Sequence, residues 1–404
     1  MAGAVRLTGE RPFTKAAAIS SVGAMVALMF MGSTLLTPLY SIYRDTFHFS
    51  RVVLTLIYSA YVIGNLGALL FFGRVSDQIG RRPVTLIAIA LAIVATTLFL
   101  LATTTTWLFA ARILSGFAIG LGSGAGAAWI AELDQRHDRG RAALQITSAN
   151  FAGLALGPLI SGLLAQYAPW PLHLPYAVQL AALLLVGVFI SATEETVAAP
   201  PQKLADVTLR PRLGVPRAIL VQFVAPAVTV FGTFALIGFY AALLPSLLAE
   251  RLHQMNHAVG GAVVFWLFAV AVAGVNLTRR LQSRTATLAG LGLLVPSLAL
   301  FVLAQLLRSM PILLVGTTVA GVASALGFRG GLQVINAISP EDRRAEVVSS
   351  YYVAGFVGNS LPVIGVGVLS SALGSIAAGA IFAIAIGVFA VVALVVGVRH
   401  ARAS

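Results

Sequence analysis

The sequence predicts an all-α membrane protein of twelve transmembrane helices in two pseudo-symmetric six-helix halves, and three observations lead there. First, 59% of the 404 residues are hydrophobic and only 10% charged, with a mean hydropathy of +0.95, whereas a soluble domain is about a quarter charged. Since a spanning helix takes roughly 20 apolar residues, the length accommodates the twelve spans and no soluble domain. Second, arginine and lysine recur in alternate loops. Third, the second half of the chain repeats a pattern of the first.

Hydropathy and Gly/Pro punctuation place the spans at about 16–42, 51–72, 84–103, 107–131, 142–167 and 174–192, then 217–249, 258–278, 285–306, 311–332, 347–370 and 372–398. The first is too long for a signal peptide and lacks a small-residue cleavage site, so it reads as a retained helix. Residues 194–216 form the longest polar stretch and the only one rich in proline. They divide the chain into an N-terminal half, 1–193, and a C-terminal half, 217–404, with 194–216 as linker.

Charge placement orients this array. One set of loops carries twenty basic residues: Arg6, Arg11 and Lys15; Arg74, Arg81 and Arg82; Arg136, Arg139 and Arg141; Lys203, Arg210, Arg212 and Arg217; Arg279, Arg280 and Arg284; Arg343 and Arg344; Arg399 and Arg402. The other set carries only Arg44, Arg51, Arg251 and Arg308. Under the positive-inside rule both termini are expected in the cytoplasm of an inner, plasma-type membrane. The formal net charge of +13 is thereby spent on orientation, and nucleic-acid binding is set aside. The repeat joins the halves: RAALQITSANFAGLALGPLISG from Arg141 lies over RAEVVSSYYVAGFVGNSLPVIG from Arg344 at an offset of about 203 residues. Parallel repeats of this kind, with a site at the midplane between them, build one class of secondary transporter.

Several chemistries are excluded. Cysteine is absent, so there is no disulfide frame, thiolate nucleophile or thiolate metal site. His253 and His257 stand at i, i+4 without a third ligand nearby, and no metal site is expected. No nucleophile-and-base pattern, phosphate loop or nucleotide fingerprint is present, so neither an enzyme nor an ATP-driven pump is expected and no cofactor is called for.

The segment Gly73–Pro83, GRVSDQIGRRP, is a glycine-bracketed, charge-dense turn between two apolar runs. Gly73 and Gly80 permit tight turning; Asp77 and the arginines can form charge-assisted bonds. Arg112 stands inside the fourth span, followed by Gly116. Arginine at membrane depth costs about 2.5–3.5 kcal/mol on insertion scales and usually faces a cavity or partner, although Trp107 lies close enough for Arg112 to snorkel to the interface. The fifth span carries Gly153, Gly157, Pro158 and Gly162; Ser161 precedes the last.

Together these patterns resemble the major facilitator superfamily over essentially the whole chain, and most closely its twelve-helix drug/proton antiporter branch. The resemblance implies that Gly73, Arg74, Asp77, Gly80, Arg81 and Arg82 form a cytoplasmic gate, with Asp77 latching against the N-terminal end of the eleventh helix in the outward-facing state. It implies that Arg112 influences proton transfer or binds an anionic group, and that Gly153, Gly157, Pro158 and Gly162 form the antiporter motif. Gly32 and Pro38 in the first span sit at a spacing seen in that branch, although Leu39 and Tyr40 depart from it. The family's cavity-lining spans direct attention to polar residues at helical spacing: Thr37 and Tyr40; Tyr61 and Asn65; Gln222 and Thr233; Arg329, Gln333 and Asn336. Arg329 has a competing partner in the Glu341, Asp342 and Glu346 cluster.

None of the thirteen acids lies in the middle of a predicted span. Asp45, Glu132 and Asp77 stand nearest the path, so coupling is expected through them and Arg112, or the protein is a facilitator. The expected function is export of small amphiphilic drugs or metabolites by alternating access, driven by a proton gradient, from a lipid-embedded monomer in a bacterial inner membrane. Facilitated or proton-linked uptake of a sugar or organic anion is the alternative, and a non-transporting receptor or assembly factor on the same fold the second.

Overall fold

The computed structural model describes residues 14–134, 139–197 and 213–403. Arg6, Arg11, Arg136, Lys203, Arg210 and Arg212 of the charge pattern lie outside them. So do Glu10, Asp138 and Asp206, most of the linker, and the side chains of Arg139, Arg399 and Arg402.

The described chain is helical throughout, and twelve of its helices are long and apolar enough to cross a membrane. The N-terminal half comprises α1 (Lys15–Thr34), short α2 (Tyr40–Phe47), α3 (Arg51–Phe72), short α4 (Val75–Ile79), α5 (Arg81–Leu100), α6 (Thr105–Leu133), α7 (Arg139–Tyr167) and α8 (Leu174–Ser191). The C-terminal half comprises α9 (Leu220–Arg251), α10 (His257–Leu277), α11 (Ser283–Leu306), α12 (Met310–Ile338), α13 (Arg344–Leu373) and α14 (Ser375–Ala403). Twelve crossings return the chain to the face it left, so one end of the bundle holds Lys15, Arg81 and Arg344 and is termed the basic face. Large apolar side chains such as Ile63, Leu185, Val188 and Ile384 remain more than half exposed, giving the bundle the apolar exterior that a bilayer requires.

The first span departs from the expected continuous run at 16–42. Helix α1 ends at Thr34, and α2 restarts at Tyr40. Pro38 is the cause: it has no N–H for the Thr34 carbonyl and its ring crowds that carbonyl. Thr37 N–H instead donates to Thr34 O in a tighter turn (3.0 Å), as Leu39 does to Leu36 (3.0 Å).

Glycines set the closest helix contacts. Cβ atoms at Gly64 and Gly116 would overlap the carbonyls of Ile113 and Tyr61, so α3 and α6 pack backbone to backbone. In the N-terminal half Gly153 of α7 faces the Ala27 carbonyl of α1; in the C-terminal half Gly358 of α13 faces the Phe231 carbonyl of α9. The repeat seen in the sequence thus places equivalent helices in equivalent contacts. Between the halves, α7 packs on α10 and α3 on α13.

Candidate functional site

A cavity of about 350 Å³ lies between the halves, lined from α1, α3, α6, α7, α9, α12 and α13. Its wall is aromatic. Phe151 meets Phe328 edge-on (6.0 Å between ring centres), Phe328 stacks on Phe234 (5.8 Å), Phe234 meets Phe356 (5.7 Å), Phe356 meets Tyr61 (6.5 Å) and Tyr61 meets Tyr58 (5.8 Å). This chain of six rings crosses from one half to the other and back. Polar groups are few: Ser33, Thr34, Asn65, Ser123, Asn150 and Asn359, with the tyrosine hydroxyls. Among the described residues, the lining holds no Asp, Glu, Lys, Arg or His.

Arg112 lies behind that wall. It is fully buried and does not snorkel: its guanidinium turns inward, donating to the Ser33 carbonyl and the Tyr40 hydroxyl, each at 2.6 Å. The Ser33 carbonyl is available because the Pro38 break draws its normal helical donor, Thr37 N–H, to Thr34. The rings of Tyr40, Tyr58 and Tyr61 surround the guanidinium at 5.7, 5.9 and 5.9 Å. No carboxylate pairs with it among the described residues; the cage supplies quadrupole attraction instead, strongest when water is excluded.

Pro158 frees a second carbonyl, that of Leu154, and Thr34 of α1 donates to it (3.2 Å). A Cβ at Gly157 would meet the Thr34 hydroxyl and the Met31 carbonyl; at Gly162 it would lie 2.6 Å from the His257 carbonyl, across the seam between halves. Gly261 of α10 presses back on the Pro158 carbonyl. The spaced glycines therefore serve two contacts, Gly153 and Gly157 within their own half and Gly162 with the other.

The contacts that cross the seam gather away from the basic face. Arg51 at the start of α3 pairs with Glu250 at the end of α9, with Arg44 of α2 4.0 Å from the same carboxylate. His257 N–H donates to Gln166 (2.9 Å), and Gly367 abuts Thr55. Deeper in, Asn359 of α13 accepts from Tyr58 (3.1 Å) and donates to Tyr61. The cavity walls run the other way, through Leu69, Ala127, Ile146 and Tyr352, while at the far end the two halves meet.

At the basic face, Arg81 is the hub of a charge cluster. Its buried guanidinium donates to Ser76 (2.7 Å) and Asp77, and to both oxygens of Glu132 from α6 (2.6–3.2 Å). Glu132 also accepts from Thr196. Glu195, just beyond α8, caps α5: its carboxylate accepts from the N–H groups of Arg81 (3.0 Å) and Arg82 (2.9 Å), where the helix dipole favours an anion. Gly80, at φ 112°, supplies the left-handed turn. A side chain there would fall 2.6 Å from a Glu195 oxygen.

The family model for the Major Facilitator Superfamily matches residues 22–315. The chain belongs to that superfamily. Among curated proteins it is 31% identical over 233 residues to the class D tetracycline resistance protein of Salmonella ordonez, covering 54% of this chain and 55% of the relative. It is 31% identical over 148 residues to the multidrug resistance protein MdtL of Shigella dysenteriae (35% and 36%), and 29% identical over 147 residues to an uncharacterised transporter of Schizosaccharomyces pombe (36% and 30%). The chain thus spans about a third to a half of the length of these relatives. Among solved structures, it superposes on a bacterial homologue of the human lysosomal transporter Spinster, in an inward-facing and unoccupied conformation, with a TM-score of 0.72 at 16% identity, over 96% of this chain and 97% of the other. The human organic anion transporter MFSD10 gives 0.68 at 16% identity, covering 95% and 99%.

Of the polar residues that superfamily resemblance assigns to the cavity, Tyr61 and Asn65 line it. Thr37, Tyr40 and Thr233 are buried in helix packing, Tyr40 as the Arg112 partner. Gln222, Gln333 and Asn336 are exposed, Gln333 accepting from Ser283. Arg329 donates to the Leu281 carbonyl (3.2 Å), away from the acidic cluster, where Glu346 pairs with Arg343 (2.8 Å). Gly73 and Arg74 are exposed at the turn into α4. Asp45 is three-quarters exposed beside Arg44, and Asp77 pairs within its own half. Sequence reasoning missed Glu195 and Asn359. An α5 beginning without its own capping side chain signalled the first, and an asparagine inside an apolar span the second.

Proposed function

We propose that the protein is a secondary active exporter of small, neutral, amphiphilic aromatic molecules, working by alternating access and proton antiport in a bacterial inner membrane, with both termini cytoplasmic. The observation that carries this reading is the cavity between the halves, walled by aromatic rings, dotted with amides and hydroxyls, and without a charged lining residue among those described. An organic cation there finds no carboxylate and sits near the buried charge of Arg112; desolvating an unpaired charge costs several kcal/mol. A neutral aromatic solute stacks on the rings at no such cost. The positive-inside pattern supports the basic face as cytoplasmic, and on that orientation this conformation is inward-facing, poised to take cargo from the cytoplasm. The names of two relatives, tetracycline and multidrug resistance proteins, support export over uptake.

The basic-face cluster fits the gate. Among the described residues Asp77 is held by Arg81 alone, and its side chain is 54% exposed, so in the outward-facing state it is free to bond the N–H groups that begin α13, where the dipole favours a carboxylate. The test is a tolerance and accumulation screen of cells lacking or overproducing the protein. Overproduction should lower accumulation of neutral aromatics such as chloramphenicol and leave quaternary ammonium dyes unaffected. Protection against the dyes alone would overturn the reading.

A further inference from the structure

Asn359 occupies two places at once. Its side chain borders the cavity, and its amide is committed across the seam: the oxygen accepts from Tyr58 (3.1 Å) and the nitrogen donates to Tyr61. It is only 1% exposed. Among the described residues the other polar contacts across the seam, Arg51 and Arg44 with Glu250, Gln166–His257 and Tyr167–Asn256, lie at the far rim, away from the cavity lining. The two tyrosines that hold Asn359 also flank the Arg112 guanidinium, which in turn holds the broken end of α1 through Ser33.

We infer that Asn359 is the cargo sensor of this transporter: a cargo carrying a hydrogen-bonding amide or hydroxyl claims the Asn359 side chain from Tyr58 and Tyr61 and so unties α13 from α3. The chemistry is competition. An amide oxygen accepts twice and an NH₂ group donates twice, and the seam takes one of each. The remaining capacity is shielded, since the side chain is buried and its oxygen lies against Gly238 of α9, so cargo reaches the amide only by turning it, and turning it weakens the bonds between the halves. A purely hydrocarbon solute fills the aromatic wall without touching that link, so the sensor accepts cargo for transport by its polar group and not by its bulk. A ligand can shift such an equilibrium only by binding one state better than the other, and the freed amide supplies that difference. This inference deepens the export reading and rests on it for the direction of transport alone.

The chain contains no cysteine, which permits a direct experiment. Thr55 lies on α3 one turn nearer the far face than Tyr58, fully buried against Gly367. A T55C protein in membranes is labelled with an impermeant maleimide from the far face, with and without chloramphenicol, a neutral aromatic bearing hydroxyls and an amide. The expected result is slow labelling that chloramphenicol accelerates at least threefold. Asn359→Leu labels at least threefold faster without chloramphenicol and gains nothing from it; Tyr58→Phe, which keeps the ring and loses one bond, falls between. Asn359→Leu and Tyr58→Phe both labelling like the parent would overturn the sensor, and Tyr58→Phe decides alone if Asn359→Leu does not fold. Fast labelling in both variants with no chloramphenicol response in the parent would overturn the polar-cargo assignment. A chloramphenicol response in the parent without cellular efflux would sink the export reading and leave Asn359 in place.

Discussion

Replacing Gly261 by alanine should trap the bundle away from the conformation described here. A Cβ at this position overlaps the Pro158 carbonyl and lies 3.4 Å from the Gly162 Cα, both on α7 of the other half. Neither neighbour is a side chain that can swing aside, so relief requires α7 and α10 to separate. Inserting a methyl into so tight a contact costs about 1–3 kcal/mol, and every 1.4 kcal/mol is a factor of ten. The ratio of seam-closed to seam-open protein should therefore fall roughly 5- to 150-fold. Because the overlap is with the other half alone, each half keeps its own packing and the melting temperature should move little. The assay is maleimide labelling of the T55C protein from the far face: labelling should rise towards completion while efflux drops by the same order. Unchanged labelling together with full transport would show that the α7–α10 contact does not gate the far face, and would refute the reasoning.

Other expectations follow from single contacts. Asp77→Asn removes a half-exposed i, i+4 ion pair worth about 0.5 kcal/mol, so the melting temperature in detergent should barely change; if Asp77 latches α13 in the outward-facing state, counterflow should nevertheless fall more than tenfold. Pro38→Ala restores an N–H to α1 and lets Thr37 return to Ser33, taking the acceptor from Arg112. The helical gain of about 3 kcal/mol and the lost charged bond of about 1.5–3 kcal/mol nearly cancel, so a stable but poorly transporting protein is expected in melting and flux assays. Glu195→Gln weakens the α5 cap by about 1 kcal/mol, and a drop of a few degrees in melting temperature checks it.

The spans were legible because a bilayer imposes one rule on all of them, and apolar runs, loop arginines and the half-chain repeat each report that rule independently. The glycine motif was legible as close packing, but its division between two partners was not: Gly157 and Gly162 read alike until α1 and α10 are in place. The break at Pro38 stands in the sequence as one proline inside an apolar run, and nothing local distinguishes a kink from a full interruption. Cavity residues were the least legible. Polar residues were sought at helical spacing, yet the wall is made chiefly of phenylalanines, which in sequence are indistinguishable from lipid-facing or core residues. Gln333 and Asn336 share a face with Arg329, but that face lies beyond the cavity at the end of α12. Glu195 acts on α5 from the end of neighbouring α8, more than a hundred residues along the chain, a pairing that no local pattern encodes.

The central claim, export of a neutral aromatic cargo by proton antiport, is tested most directly in everted membrane vesicles containing the protein. An acid-inside pH gradient should drive radiolabelled chloramphenicol into the lumen above its external concentration, and collapse of the gradient by an ionophore should release it. Equilibration to equal concentrations irrespective of the gradient, or accumulation driven in the opposite direction, would contradict the account.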